Sequence, residues 1–140
     1  MRQVILDTDI VSEILKDRDP NVRRRKDEYL AEFGVLSTTS LTVLEVLSGL
    51  HKHNANSLLA HASLFFQIHS EITPSQQDFR FAARIIGDLQ KSGTPIGIVD
   101  PLIAACAWNR GCSVATGNVR HYEFIQRLGY GLVIENWREA

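Results

Sequence analysis

The stretch Val4-Ile5-Leu6-Asp7-Thr8-Asp9 places a short apolar run directly before two acids near the start of the chain. A run of this length and composition predicts a buried strand. Further strand-like runs of Val, Ile and Leu alternate with helical patterns, which is typical of parallel βαβ units with helices on both faces of the sheet. The sequence therefore predicts an α/β fold in three α/β/α layers, with a mainly parallel sheet of four to five strands.

Hydrophobic periodicity and turn residues predict where the individual elements lie. Strands are expected at 4–6, 35–38, 68–72, 113–116 and 132–134. Helices are expected at 9–16, 20–33, 40–51, 56–66, 75–91, 100–109 and 120–128. The alternation of the two sets along the whole chain favours one domain, residues 1–140, without a linker.

Composition and charge narrow the class of protein. The chain has 140 residues, 44% hydrophobic and 22% charged, which is ordinary for a globular domain. Its net charge of −1 provides no global basic field for nucleic acid, although locally placed basic residues could still serve an enzyme. Cys106 and Cys112 are expected to be free thiols. With no signal peptide or membrane span predicted, we expect a soluble, cytoplasmic protein.

Three carboxylates stand alone in largely apolar stretches. Asp7 follows the first strand, Glu45 is the only Asp, Glu, Lys or Arg between Glu32 and Lys52, and Asp100 is alone in a similar stretch later in the chain. Burying an unpaired ionised carboxylate costs on the order of several kcal/mol of folding free energy, unless the group keeps its proton. Three such acids indicate a shared countercharge, and for oxygen ligands a divalent cation is the simplest one.

Each acid also has a structural interpretation. Asp100 precedes a proline and suits a helix N-cap, which is the favoured interpretation if that residue is considered alone. Glu45 could close a capping box with Thr42, and Asp7 or Asp9 could cap the first helix. Helix caps do not explain why all the acids fall at the same end of the predicted sheet. Considered together, the acids therefore favour a cation site.

The neutral and basic residues near these acids carry weaker signals. Asn118 follows the strand that ends at Thr116, so it can face the crevice that forms at the carboxyl ends of parallel strands. His121 follows Asn118 near the proposed crevice, where it could meet a phosphate. The run Arg23-Arg24-Arg25-Lys26 is interpreted as a solvated helix face, with a phosphate-binding patch as the minority alternative.

Four stretches, in this order, resemble PIN-domain ribonucleases, notably the VapC-type toxins of toxin–antitoxin modules. They are Leu6-Asp7-Thr8-Asp9-Ile10-Val11-Ser12-Glu13, Leu44-Glu45-Val46-Leu47-Ser48-Gly49-Leu50, Asp100-Pro101-Leu102-Ile103-Ala104-Ala105 and Thr116-Gly117-Asn118-Val119-Arg120-His121-Tyr122. The ending, Leu132-Val133-Ile134-Glu135-Asn136-Trp137, is also similar. The resemblance covers essentially the whole chain and implies a PIN-like fold.

The resemblance implies an endoribonuclease that depends on Mg²⁺ or Mn²⁺ and leaves a 5′-phosphate and a 3′-hydroxyl. Its metal-binding acid positions are occupied here by Asp7, Glu45 and Asp100, and Asn118 stands where many members have a fourth acid. The candidates for supporting or substrate-contacting roles are Thr8, Ser12, Thr116, Arg120 and His121. The family also implies a homodimer and a VapB-like antitoxin whose C-terminal arm covers the acidic crevice.

Two other functions remain open at this level. A haloacid-dehalogenase-like phosphatase would use Asp7 as nucleophile and Asp9 as general acid, but it also requires a later lysine and a second acid cluster, which have no good match here. A non-catalytic PIN domain that only binds RNA or its antitoxin would be consistent with the neutral Asn118. Metal-dependent RNA hydrolysis is the interpretation favoured by the sequence.

Overall fold

The computed structural model describes all of residues 1–140 and contains five strands and seven helices. The strands are β1 (Val4–Leu6), β2 (Ser37–Thr39), β3 (Ser70–Ile72), β4 (Ser113–Thr116) and β5 (Ile134–Asn136). The helices are α1 (Thr8–Lys16), α2 (Pro20–Phe33), α3 (Ser40–Lys52), α4 (Asn56–Ile68), α5 (Gln76–Lys91), α6 (Val99–Asn109) and α7 (Val119–Arg127).

All strand pairs are parallel, as predicted, but backbone hydrogen bonds join the strands in two groups. One group has the order β1-β4-β5 and the other pairs β2 with β3. The groups are linked where the Thr38 hydroxyl donates to the Leu6 carbonyl at 3.3 Å. The predicted single sheet of four to five strands is thus divided into a three-stranded and a two-stranded group that a side chain joins, and the carboxyl ends of the strands still form one edge.

The apolar core lies on both sides of β1, which explains the three layers. Ile5 belongs to a cluster built mainly from α5, α6 and α7, whereas Val4 and Leu6 belong to one built mainly from α1 to α4. Successive side chains of a strand point to opposite faces, so a strand that is apolar throughout is buried on both. Each such side chain contributes about 1.5–3 kcal/mol on full burial. The predicted three-layer α/β/α fold is confirmed.

Several element ends differ from the predicted ones by one or two residues. The strand predicted at 35–38 begins later, at Ser37, and the backbone N–H of Leu36 before it donates to His69 Nδ1 at 3.1 Å. The next predicted strand, 68–72, shortens to Ser70–Ile72 because Ile68 still belongs to α4. The last strand is Ile134–Asn136 rather than 132–134. None of these shifts moves a predicted site residue away from its edge of the sheet.

One buried ion pair fixes α5 against α6. Asp78, 1% exposed, forms a capping box with Ser75 at the start of α5. The same carboxylate accepts two hydrogen bonds from Arg110, both at 3.0 Å, and one from Asn109 at 2.7 Å. Burial by itself raises the pKa of Asp78, but these hydrogen bonds outweigh it and hold that pKa well below its usual range. The contact anchors the C-terminal end of α6, the helix that carries Asp100.

Three of the four residues in the basic run on α2 form ion pairs with acids. Arg23 contacts Asp17 at 2.7 Å, Arg24 contacts Glu28 at 3.2 Å, and Lys26 contacts Asp27 at 3.4 Å. These ion pairs agree with the interpretation of the run as a solvated helix face. Among the helices, none combines the length and the apolar character that a membrane crossing requires.

Candidate active site

Asp7 is the most buried acid at the carboxyl edge of the sheet, with 4% of its surface exposed. It caps α1, as one of the sequence alternatives predicted: its Oδ1 accepts from the Thr8 backbone N–H at 2.8 Å. Its Oδ2 accepts from the Thr116 hydroxyl at 2.9 Å. Burial, and next to it the charge of Asp100, raise the pKa of Asp7 to about 7. No Lys, Arg or His side chain forms an ion pair with Asp7, so the chain itself supplies this carboxylate with no countercharge.

Asp100 reaches the same crevice from the first turn of α6, with a side chain that is 16% exposed. The prediction that it caps this helix is wrong, because α6 begins one residue earlier and its N-cap is Ile98, without a side-chain cap. The carboxylate is instead engaged by α7. Its Oδ2 lies 2.7 Å from His121 Nδ1, and its Oδ1 accepts from the Tyr122 hydroxyl at 3.5 Å.

Glu45 lies at the exposed rim of the crevice rather than inside it. Its Oε1 accepts a hydrogen bond from the Thr8 hydroxyl at 2.6 Å. The predicted capping box with Thr42 is wrong, because α3 is capped by Thr39, whose hydroxyl accepts from the Thr42 backbone N–H at 3.3 Å. The sequence argument that a buried, unpaired carboxylate needs a countercharge therefore applies to Asp7 and does not apply to Glu45. Thr8 connects the two acids, through its backbone on one side and its hydroxyl on the other.

Asn118 and His121 close the side of the crevice formed by α7. Asn118 is the N-cap residue of this helix, and its backbone N–H donates to the Thr116 hydroxyl at 2.9 Å. Its side-chain nitrogen lies 3.0 Å from His121 Nδ1, the atom that also contacts Asp100. Thr116 and His121 thus connect Asn118 to the two acids. The amide is exposed and adds no charge to the crevice.

Two of the predicted residues lie outside this hydrogen-bonded group. Ser12 is half-buried and lines a groove of about 320 Å³ that begins at Glu45. Arg120 is exposed, and its guanidinium lies 5.6 Å from the ring centre of Phe124. Arg120 forms no ion pair with the acids of the crevice. Its predicted contact with phosphate would require the side chain to leave Phe124.

The structure adds residues that the sequence analysis did not assign to the site. Tyr122 is fully buried behind Asp100, and its pKa is well above the ordinary 10, because of burial first and then the charges of Asp7 and Asp100. The sequence feature that could have identified Tyr122 is its place at the end of the Thr116–Tyr122 motif. Asp9 accepts from the Gly117 backbone N–H at 2.8 Å and lies 3.6 Å from Arg138. No sequence signal pointed to Arg138.

The residues that converge fit a hydrated divalent cation better than a closed metal cage. No group of three His, Cys, Asp or Glu side chains is arranged as a ready-made metal site. The charges that interact most directly are those of Asp7 and Asp100. Mg²⁺ is commonly held by one or two carboxylates while it keeps several waters. Asp7 and Asp100 could hold such a cation, with Glu45 and Asn118 placed at the rim to meet its waters.

The family model described as "PIN domain" matches residues 4–125, so the chain belongs to the PIN domain family. Two relatives, from Salmonella typhimurium and Shigella flexneri, are each named "tRNA(fMet)-specific endonuclease VapC". They are 28% and 29% identical over 98% of this chain and 99% of their own. The crystal structure of DNA-bound VapBC from Salmonella typhimurium contains a chain with a TM-score of 0.83, at 28% identity over 98% of this chain and 99% of that one.

A second solved structure, VapBC2 of Rickettsia felis bound to a DNA fragment, shares the fold at 21% identity, with a TM-score of 0.80 over 96% of this chain and 98% of that one. The resemblance to VapC-type PIN domains that the sequence motifs predicted is confirmed on these findings. The resemblance extends past α7 to β5, as the similarity of the final stretch predicted.

Proposed function

We propose that this PIN domain is a divalent-metal-dependent endoribonuclease, the toxin of a toxin–antitoxin pair, that hydrolyses RNA phosphodiester bonds at the crevice of Asp7 and Asp100. The observation that carries the proposal is the meeting of two acids at one edge of the sheet: Asp7, which is 4% exposed and held by Thr116, and Asp100, which is 16% exposed and held by His121. Two carboxylates in one water-poor crevice are unfavourable by themselves. A bound Mg²⁺ or Mn²⁺ removes that cost.

The chain's own residues would organise the reaction around the cation. When bound, a divalent cation acidifies water and neutralises charge on the scissile phosphate. Asp7 and Asp100 would hold it, with Asp7 oriented by Thr8 and Thr116 and Asp100 oriented by His121. Fixed carboxylates of this kind reduce the reorganisation that the reaction requires. Products with a 5′-phosphate and a 3′-hydroxyl are expected.

Roles at the rim follow from exposure and hydrogen bonding. Glu45 is exposed and held by Thr8, so it can accept a hydrogen bond from a water that faces the phosphate. Asn118 can donate or accept there but adds no charge. Ser12 extends the polar rim towards the groove, and Arg120 is the nearby cation that could reach RNA. Because two relatives are named for tRNA(fMet), tRNA is the first substrate class to test.

The proposed partner is a VapB-like antitoxin, because the solved structures with this fold include VapBC complexes. The groove that begins at Glu45 lies between α1, α3 and α4 and contains apolar side chains. Its apolar lining residues are Leu15, Val46, Leu50, Ala55 and Leu58. An antitoxin arm could lie there and place a cationic side chain at the acids, in competition with metal. A homodimer and a cytoplasmic location complete the proposal.

The decisive experiment is cleavage of total RNA and of purified tRNA by antitoxin-free protein in Mg²⁺, Mn²⁺ or EDTA. Asp7→Asn and Asp100→Asn are the test variants, and Asp27→Asn, which changes an exposed acid on α2, is the matched control. Discrete metal-dependent products from wild type and the control, lost in both test variants, would support the proposal. Equal activity in all proteins would indicate a contaminant and contradict it.

A non-catalytic binding domain is the second candidate. Two observations favour it: Asn118 is neutral, and no three ligand side chains are arranged for a metal. In the same experiment this candidate predicts no cleavage by any of the proteins, together with intact antitoxin binding. The phosphatase alternative is disfavoured, because the carboxylate of Asp9 is already engaged by Gly117 and Arg138 and so is poorly placed to act as a general acid.

A further inference from the structure

Arg138 follows β5 and brings the far end of the chain against the start of α1. Its guanidinium has three carboxylates within 4.0 Å: Asp19 at 3.5 Å, Asp9 at 3.6 Å and Glu13 at 4.0 Å. The three acids are partly buried, at 12–31% exposure, whereas the Arg138 side chain is exposed, at 39%. An arginine shared by three acids in this environment is held more firmly than an isolated surface ion pair.

The backbone of Arg138 is fixed on both sides. Its carbonyl accepts from the Asn21 side chain at 2.8 Å, which ties it to α2. Its N–H donates to the Asn136 side-chain oxygen at 3.1 Å. Because the main chain is held in this way, the direction of the guanidinium is set by the fold rather than only by its carboxylate partners.

The other side of this contact is the turn between β4 and α7. Asp9 Oδ2 accepts from the Gly117 backbone N–H at 2.8 Å, and its Oδ1 is 3.5 Å from the Thr116 hydroxyl. That hydroxyl also donates to Asp7, and it accepts from the backbone of Asn118. The Asp9 carboxylate thus holds the turn that contains Thr116, which donates to Asp7, and Asn118, whose amide lies at the rim of the crevice.

Gly117 is required for this close approach. A Cβ at this position would lie 2.5 Å from Arg138 Cδ and 2.6 Å from Asp9 Oδ2. Both distances are far inside van der Waals contact, so any side chain would push the two partners apart. Gly117 thereby couples the position of the turn to the Arg138–Asp9 pair.

We propose that Arg138, Asp9 and Gly117 form a clamp, here the Arg138 clamp, that positions Thr116 and Asn118 for RNA cleavage. Arg138 is a positioning residue in this arrangement, since it acts through Asp9 and touches neither Asp7 nor Asp100. Its charge also attracts the Asp9 oxygen that accepts from the Gly117 N–H. This inference rests on the proposed nuclease function. It adds to that function a positioning residue, Arg138, in the segment that follows β5.

The first test measures amide hydrogen exchange of Gly117 and Asn118 by NMR, in parallel with RNA cleavage. Arg138→Ala should speed Gly117 exchange and reduce cleavage, each by about tenfold, the lower end of the effect of outer-shell partners. Arg138→Lys should restore part of both, because it returns the charge. Arg127→Ala is the matched control, since that arginine contacts Glu123 and the Phe124 ring on the same helix, α7, and should change neither.

The second test combines a substitution that adds only a methyl group at Gly117 with a double-mutant cycle of Arg138 and Asp9. It therefore does not depend on one variant. Gly117→Ala keeps every charge but should reproduce the loss of cleavage with an unchanged circular dichroism spectrum. Gly87→Ala is its control, because a Cβ there meets nothing within 4 Å. If Arg138 acts through Asp9, the effects of Arg138→Ala and Asp9→Asn should be strongly non-additive in a double-mutant cycle.

The outcomes separate the clamp from the function on which it rests. Additive effects, or lost cleavage in Arg138→Ala with unchanged Gly117 exchange, would overturn the clamp and indicate direct contact of Arg138 with RNA. If wild type cleaves no RNA, the proposed function fails and the positioning role fails with it. Faster Gly117 exchange in Arg138→Ala would then assign the contact to fold stability alone.

Discussion

At the scale of single residues, Asp7 combines a structural and a chemical role in one side chain. One carboxylate oxygen caps α1 and the other is held by Thr116, so its orientation is fixed before any ligand arrives. The same burial that fixes it makes its ionised form costly near neutral pH. An aspartate that served only as a helix cap would be ionised at lower cost if the start of the helix were exposed to water. The burial of Asp7 is therefore better explained by the crevice than by the cap.

Replacing Asp7 should change stability as well as activity. Its pKa rises from 3.8 in the unfolded chain to about 7, so the native state binds the extra proton between these values and its stability falls as pH rises through 7. In EDTA, Asp7→Asn should therefore gain stability relative to wild type between pH 5 and pH 8, by about 2 kcal/mol. Urea unfolding at the two pH values measures this. Parallel pH profiles of the two proteins would contradict the raised pKa.

At the scale of elements, the Asp78–Arg110 contact between α5 and α6 should dominate local stability. Asp78→Asn leaves the Arg110 guanidinium without its buried partner, which should cost about 3 kcal/mol in urea unfolding at pH 7. Because the pKa of Asp78 is depressed in the native state, this contribution is present above the unfolded pKa of 3.8 and is lost as pH falls below it. The two proteins should therefore converge in stability in acid.

The control for this prediction is Glu28→Gln, which removes an exposed pair with Arg24 on α2. Exposed pairs of this kind are worth only about 0.3–0.5 kcal/mol. An equal effect of both substitutions would mean that burial does not strengthen the Asp78 contact. RNA cleavage by Asp78→Asn should persist at temperatures where the variant is still folded.

The sequence predicted every strand and helix but not every cap, for a local reason. Apolar periodicity identifies a helix. The N-cap residue, however, depends on which nearby side chain accepts from the unpaired backbone N–H groups of the first turn. At α6 the helix starts at Val99, so Asp100 turns towards His121 and the predicted cap is lost. At α3 the cap is Thr39, three residues before Thr42. Competition among neighbouring polar residues of this kind is not visible in periodicity.

At the scale of the whole molecule, motifs predicted the parts of the site that lie next to strand ends, and long-range contacts supplied the rest. Asp7, Asp100 and Asn118 could be placed because each begins or precedes an element whose edge of the sheet was known. Arg138 could not be placed, because its contact with Asp9 depends on how the segment after β5 packs against α1. The exposure of Glu45 was missed because an apolar run does not show which helix face is covered.

The charge of the whole molecule leads to a prediction about RNA binding. The net charge is −1, the basic run on α2 is largely paired, and the crevice itself is acidic, so neither the whole molecule nor this run provides a strong basic field for phosphates. Binding of tRNA by inactive Asp7→Asn, at fixed Mg²⁺ and varied KCl, should weaken with a log–log slope of only about −2 to −3. If Arg120 leaves Phe124 to contact phosphate, Arg120→Ala should make the slope shallower by about 1, whereas Arg24→Ala should leave it unchanged. A slope of about −8 would contradict the prediction and require an extended basic surface.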